Sequence, residues 1–162
     1  EVHKHIEKSN VDLLYIAKQR LGERSVESFI DPDSPCPYSG IKGRDVIVFD
    51  DMVRTGSTIR QCCKILKDAG ANRVVFFVTH FYSSPEVREN LNTPDLDEII
   101  TTNTIPCILN RDMQGRLRRK MTVLKLEKWI SRHVLQCMKQ DCSHLTLPMY
   151  TVDMSSKNPR WR

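Results

Sequence analysis

The chain has 162 residues, 40% apolar and 28% charged, which is enough to close one hydrophobic core and too apolar for disorder along the whole length. Its longest apolar runs, such as Val46 to Phe49 and Val74 to Val78, fall far short of the roughly 20 residues that cross a bilayer, so a membrane-spanning helix is excluded. A formal charge of +5, from 25 Lys and Arg against 20 Asp and Glu, is compatible with an anionic ligand and does not demand nucleic acid.

Glu1 to Lys8 mixes His, Lys and Glu and lacks the basic start and apolar stretch of a secretory signal. A first residue other than Met points to a processed product or a piece of a longer chain. The six cysteines, Cys36, Cys62, Cys63, Cys107, Cys137 and Cys142, have no secretory context and include an adjacent pair. Reduced thiols of a cytoplasmic protein are therefore expected.

Short β-branched or aromatic runs bounded by turn formers predict a first strand over Val11 to Ile16. Leu21 to Gly40 follows, with Pro32, Pro35 and Pro37 among Asp, Ser and Glu; a loop of this length inside a compact domain is a lid candidate. The second strand is expected over Asp45 to Phe49. A helix from about Ser57 sets Ile59, Cys62, Cys63 and Leu66 on one face and stops at Gly70, where a left-handed cap suits glycine. The third strand spans Arg73 to Thr79, and a helix then starts with Ser84 as N-cap and Pro85 at its first position, running towards Leu91.

Strands over Glu98 to Thr102 and Met121 to Leu126 come next, then a helix from about Glu127 to Met138 with Trp129, Ile130, Val134 and Met138 as its apolar side. The basic run Arg111 to Lys120, with Arg116, Arg118, Arg119 and Lys120, reads as a solvated loop, and no nucleic-acid partner is expected. His133, Cys137, Cys142 and His144 offer metal-ligand types without the short spacings of a zinc site. Apolar strands alternating with helices predict an α/β fold, a parallel sheet with helices on both faces. One domain is expected over residues 1–138, with 21–40 as its flexible loop and 139–162 as a C-terminal extension.

Ligands of open α/β sheets bind beyond the carboxyl ends of strands, which directs attention to Val46-Ile-Val-Phe-Asp-Asp-Met-Val-Arg-Thr-Gly-Ser-Thr-Ile59. An apolar strand there ends in two acids and turns into a helix through a hydroxyl-rich loop. A helix start offers unpaired N–H groups and the positive end of a dipole to a phosphate. Gly56 lets backbone approach it, and Thr55, Ser57 and Thr58 add hydroxyl donors. Asp50 and Asp51 are acceptors suited to a vicinal diol. Phosphate at one end and a diol nearby describe a ribose phosphate. Neither GxxxxGK[ST] nor GxGxxG occurs in the chain, which disfavours a P-loop or a dinucleotide fold.

This segment resembles the phosphoribosyl diphosphate (PRPP) binding loop of the type I phosphoribosyltransferase fold. Thr102-Asn-Thr-Ile-Pro106 is similar to the TNTIP of ribose-phosphate diphosphokinases, or PRPP synthetases, and Val78-Thr-His80 to their VTH strand end. Lys18-Gln-Arg20 resembles the KxR at the base of their catalytic flexible loop, and Gly40-Ile-Lys-Gly-Arg44 their approach to the acidic strand. These matches run in family order from about residue 11 to residue 138. Arg54 stands where the family commonly has an acid, and Phe81 where it has glycine.

The resemblance implies the C-terminal half of such an enzyme, which transfers diphosphate from ATP to ribose 5-phosphate. It implies that Arg54, Thr55, Gly56, Ser57 and Thr58 hold the 5-phosphate and that Asp50 and Asp51 orient the ribose, directly or with Mg. It further implies that Lys18 and Arg20 close over the transferring group, that ATP binds with a half this chain lacks, and that subunits assemble as homo-oligomers. Two alternatives remain open at this stage. One is a self-contained phosphoribosyltransferase using PRPP and a base, and the other is a non-catalytic synthetase-associated regulator.

Overall fold

The computed structural model describes residues 11–20, 26–105, 115–146 and 148–153. Strands β1 (Ile16–Arg20) and β2 (Val26–Ile30) form an antiparallel ribbon. A five-stranded sheet follows, in the order β3 (Asp45–Val53), β4 (Arg73–Phe81), β5 (Glu98–Thr102), β6 (Met121–Lys125) and β7 (Thr151–Asp153). Strands β3 to β6 are parallel, and β7 runs antiparallel to β6. Helix α1 (Ser57–Asp68) joins β3 to β4 and α2 (Pro85–Leu91) joins β4 to β5, while α3 (Glu127–Cys137) follows β6. The α/β class and the parallel sheet are those the sequence leads one to expect. No helix among the described residues is long and apolar enough to cross a membrane.

Alternation along β3 and β4 sorts their side chains between two faces. Val74, Phe76 and Val78 of β4 join Ile99, Met121 and Val123 in a core closed by Ile59, Cys62, Cys63 and Leu66 of α1 and by Val87 and Leu91 of α2. Helix α1 ends as its sequence predicts: Gly70 adopts φ +88°, Gly70 N–H donates to Lys67 O and Ala71 N–H to Leu66 O. This is a Schellman closure, in which two carbonyls of the last turn recover donors. At the start of α2, the Ser84 side chain accepts from Val87 N–H at 3.1 Å, with Pro85 behind it.

The covering of the sheet is uneven. The face of β3 turned away from α1 leaves Ile47 53% and Phe49 46% exposed. Helix α3 carries the expected apolar side chains, yet Trp129, Ile130, Val134 and Met138 are exposed and none of its residues is buried. What it turns inward is half-buried Lys128, Arg132 and Leu135. Lys128 donates to Pro148 O and Arg132 meets the Met149 sulfur.

One expectation is corrected, and two segments gain detail. The first strand lies over Ile16–Arg20, not Val11 to Ile16, because the backbone of residues 13–15 is engaged by a loop. Asp31 N–H and the Ser34 hydroxyl donate to Tyr15 O, Ser34 Oγ accepts from Tyr15 N–H, and Cys36 N–H donates to Leu13 O. Within 21–40, residues 26–30 form β2, and a 3-10 turn, Tyr38–Ile41, closes the segment. Within 139–162, residues 151–153 extend the sheet as β7.

Candidate functional site

β3 runs through Val53, four residues past its expected end, with Met52 opposite His80 and Val53 opposite Phe81. Asp50 and Asp51 therefore sit on the strand, and alternation sends them to opposite faces. Asp50 lies on the α1 side, and its Oδ1 accepts from Asp51 N–H at 3.0 Å. A hollow of about 190 Å³ opens there, lined by Asp50, Met52, Val53, Arg54, Thr55, Gly56, Thr58 and Ile59. A neighbouring open space of about 490 Å³ shares Met52 and Arg54 with it and adds Tyr82. Asp51 and Ser57 do not line the hollow. Ser57 reaches it through Thr55, since the two hydroxyls lie 3.1 Å apart.

The turn from Arg54 to Gly56 is short, and its geometry is fixed from behind. Gly56 occupies the N-cap of α1 at φ +78°, a conformation that L side chains adopt only at a cost. A Cβ there would also sit 3.3 Å from Asn90 Cβ and from Leu91 Cγ and Cδ2 on α2. The glycine is thus required by packing between helices as well as by any ligand, a second role that the sequence did not reveal. Asn90 is the residue that sequence reasoning missed: its Nδ2 donates to Thr55 O at 2.8 Å and its Oδ1 accepts from Arg60 at 3.4 Å. Gly56, having no side chain, gives α1 no side-chain cap, and the helix start beside the hollow carries unpaired N–H groups with the helix dipole behind them.

The Thr102–Thr104 segment turns out to be scaffolding. The Thr102 and Thr104 hydroxyls both donate to Thr79 O, at 2.7 and 2.9 Å, and Thr104 Oγ1 meets His80 Nδ1 at 2.9 Å. Asn103 receives Leu126 N–H at 3.1 Å and donates to Glu127 at 2.6 Å, fixing the start of α3. Together these bonds tie the carboxyl ends of β4, β5 and β6. Pro106 lies outside the described residues.

Lys18 and Arg20 lie on β1, paired with Ser28 and Val26; their side chains lie outside the description. Buried Ser28 donates to Gln61 on α1 at 3.3 Å, which brings the ribbon against the helix that starts at the hollow. In the basic run, half-buried Lys120 donates to Thr93 O and Leu96 O at 2.7 and 2.8 Å, a structural clamp. Burial pulls its pKa down, against Cys63, Asp97 and Asp95. The same burial pushes the Cys63 thiol up to about 12. Among the described residues no group of three or more His, Cys, Asp or Glu is placed to hold a metal. His133 instead stacks on Trp129 and lies 3.8 Å from the Cys137 sulfur.

A helix start, a strand-end carboxylate and the hydroxyl-bearing Thr55 and Thr58 thus meet at one hollow of an α/β domain. Comparison with known proteins makes this particular. Residues 35–141, more than half of the chain, match the model of the phosphoribosyl synthetase-associated domain, and the chain belongs to that family. It is 42% identical over 101 residues to the ribose-phosphate pyrophosphokinase of Haemophilus ducreyi, covering 62% of this chain and 31% of that one. Over 66 residues it is 42% identical to the enzyme of that name from Shewanella oneidensis, covering 41% of this chain and 21% of the relative. The crystal structure of phosphoribosylpyrophosphate synthetase from Mycobacterium smegmatis superposes with a TM-score of 0.64 at 26% identity, over 85% of this chain and 40% of that one. The chain thus spans well under half of the length of these relatives.

Proposed function

We propose that this chain is the ribose 5-phosphate and PRPP-holding domain of a ribose-phosphate diphosphokinase. The supporting observation is the hollow between the end of β3 and the uncapped start of α1, with Asp50, Thr55 and Thr58 on its wall. In this reading the N–H groups of α1 and the hydroxyls of Thr55, Ser57 and Thr58 hold the 5-phosphate, and Gly56 keeps the turn open. Arg54 adds a cation. Asp50 accepts from a ring hydroxyl, and Asp51, on the other face of the strand, meets the reacting side of the sugar. Phosphoryl-group chemistry of this kind is positioning and charge stabilisation. Lys18 and Arg20 supply cations to the transferring diphosphate.

One or two carboxylates with substrate oxygens and water suit Mg²⁺, which rarely takes an all-protein cage; Asp50, on the wall of the hollow, fits that donor set, whereas Asp51, on the opposite face, stands away from it. When bound, Mg²⁺ neutralises phosphate charge. ATP binds with polypeptide beyond the matched portion, and the working enzyme is a cytoplasmic homo-oligomer. The test is thermal unfolding with ribose 5-phosphate. The sugar phosphate should raise the Tm, ribose should not, and Asp50→Ala or Thr58→Ala should reduce the shift at least severalfold. An unchanged Tm in the wild-type chain sinks the reading. The chain alone should form no PRPP from ATP; base-dependent consumption of PRPP would instead select a self-contained phosphoribosyltransferase.

A further inference from the structure

Residues four apart on a helix stand one above another. On α3 this sets Trp129, His133 and Cys137 along one ridge, all three exposed and on the side away from half-buried Lys128, Arg132 and Leu135. The Trp129 ring lies parallel to the imidazole, with 5° between planes and centroids 5.9 Å apart, and His133 Nε2 is 3.8 Å from the Cys137 sulfur. Thiolate and imidazole are the ligands zinc takes most readily. With Zn–S of about 2.3 Å and Zn–N of about 2.0–2.1 Å, two corners of a zinc tetrahedron stand about 3.6 Å apart. The spacing of the two donors is therefore close to what the ion asks for.

A zinc held by protein alone takes four such ligands, and the ridge supplies two. Cys142 and His144 do not complete the set in this chain, since among the described residues no group of three or more His, Cys, Asp or Glu is placed to hold a metal. We infer that His133 and Cys137 form half of a zinc site that a second copy of this chain completes, giving a centre of two histidines and two cysteines between antiparallel α3 helices. A two-fold axis makes contacts reciprocal. Placed level with Leu135, it sets His133 of each copy beside Cys137 of the other and brings all four donors together. The same axis puts Lys139 opposite Ser131 and Arg132 opposite Met138, so no like charges meet along the seam. Exposed Ile130, Val134 and Met138 flank the pair, and the second helix covers them. On binding, each Cys137 thiol releases its proton to solvent, so two protons leave for each zinc bound.

The test is the mass in solution of the 162-residue chain, stripped of metal, kept reduced with a phosphine and titrated with Zn²⁺. The mass should double, reach its plateau at one Zn²⁺ per two chains, and fall back on adding EDTA. Co²⁺ in place of zinc should give the intense visible bands of a tetrahedral ion and a thiolate-to-metal absorption in the near ultraviolet. Cys137→Ser and His133→Gln should each weaken Zn²⁺ binding roughly a hundredfold or more and abolish the doubling, with the circular dichroism of the parent. Val134→Lys removes no ligand and should still weaken the zinc-driven association.

Three results overturn the proposal. Zinc bound at one per chain with no change of mass would place all its ligands in a single copy. Loss of binding in Cys142→Ser or His144→Ala would move the site to the segment after α3. Binding or doubling indifferent to Cys137→Ser would remove the ridge from the site. Ribose 5-phosphate stabilisation is measured without zinc, so the fate of the proposed function is read separately.

Discussion

Gly56 shows how one residue can answer two demands. Its positive φ starts α1, and its missing Cβ lets α2 close against the turn. Gly56→Ala should cost about 1–2 kcal/mol from the backbone conformation alone, with the Leu91 contact adding to it. Thermal unfolding with and without ribose 5-phosphate checks this, because both the stability and the ligand shift should fall. Asp97 carries a pH prediction. Burial works against its charged form, but the Lys67 ammonium at 2.8 Å and the Val74 N–H at 2.8 Å outweigh it and hold the carboxyl below its ordinary range. A depressed carboxyl stabilises the fold fully above its unfolded pKa, and that contribution is lost as pH falls through the folded value. Asp97→Asn should therefore flatten the acid-side decline of Tm and leave a lower plateau near neutrality.

The cysteines divide by position. Cys62 and Cys63 are buried and Cys137 is exposed, and Cys63, its thiol pushed up to about 12, stays uncharged at neutral pH. Since the thiolate is the nucleophile, brief iodoacetamide treatment of the native chain should label Cys137 and spare the adjacent pair; peptide mass mapping reads the result.

At the level of elements, local signals were legible wherever one turn of chain decides the outcome. Ser84 followed by Pro85 marked the start of α2, and Gly70 the end of α1, because caps are satisfied by near neighbours. Strand ends were less legible. Met52 and Val53 join β3 because His80 and Phe81 stand beside them, and nothing in the sequence around Phe49 announces a partner thirty residues away. The position of β1 depends likewise on Ser34 and Cys36 binding the backbone of residues 13–15. The TNT motif was legible as a pattern but not as a part, since its role appears only when Thr79 and Leu126 arrive from other elements. Asn103→Ala should orphan the Leu126 N–H and cost about 1 kcal/mol, lowering the Tm by roughly 2–4 °C for a domain of this size. Circular dichroism should show the loss in helical signal from α3 first.

Over the whole molecule, fold class was legible in the alternation of apolar strands with helices, and the candidate site in one stretch, Val46 to Ile59, because a strand-to-helix turn is written in contiguous residues. What that stretch hid was the division of its two acids between opposite faces of β3, which follows from the strand continuing past them. It also hid Asn90, whose bond to Thr55 O spans 35 positions. The covering of the sheet was not legible either. Apolar periodicity in α3 reads as core in a sequence, and the structure leaves Trp129, Ile130, Val134 and Met138 in solvent.

Helix α2 contributes no lining to the hollow, yet Asn90 and Leu91 form the anvil against which the turn at Gly56 is shaped. A random screen for weakened retention of a phosphorylated sugar would accordingly return substitutions at those two positions alongside the obvious ones. They would be recognisable by faster ligand escape with little change in the charge of the site.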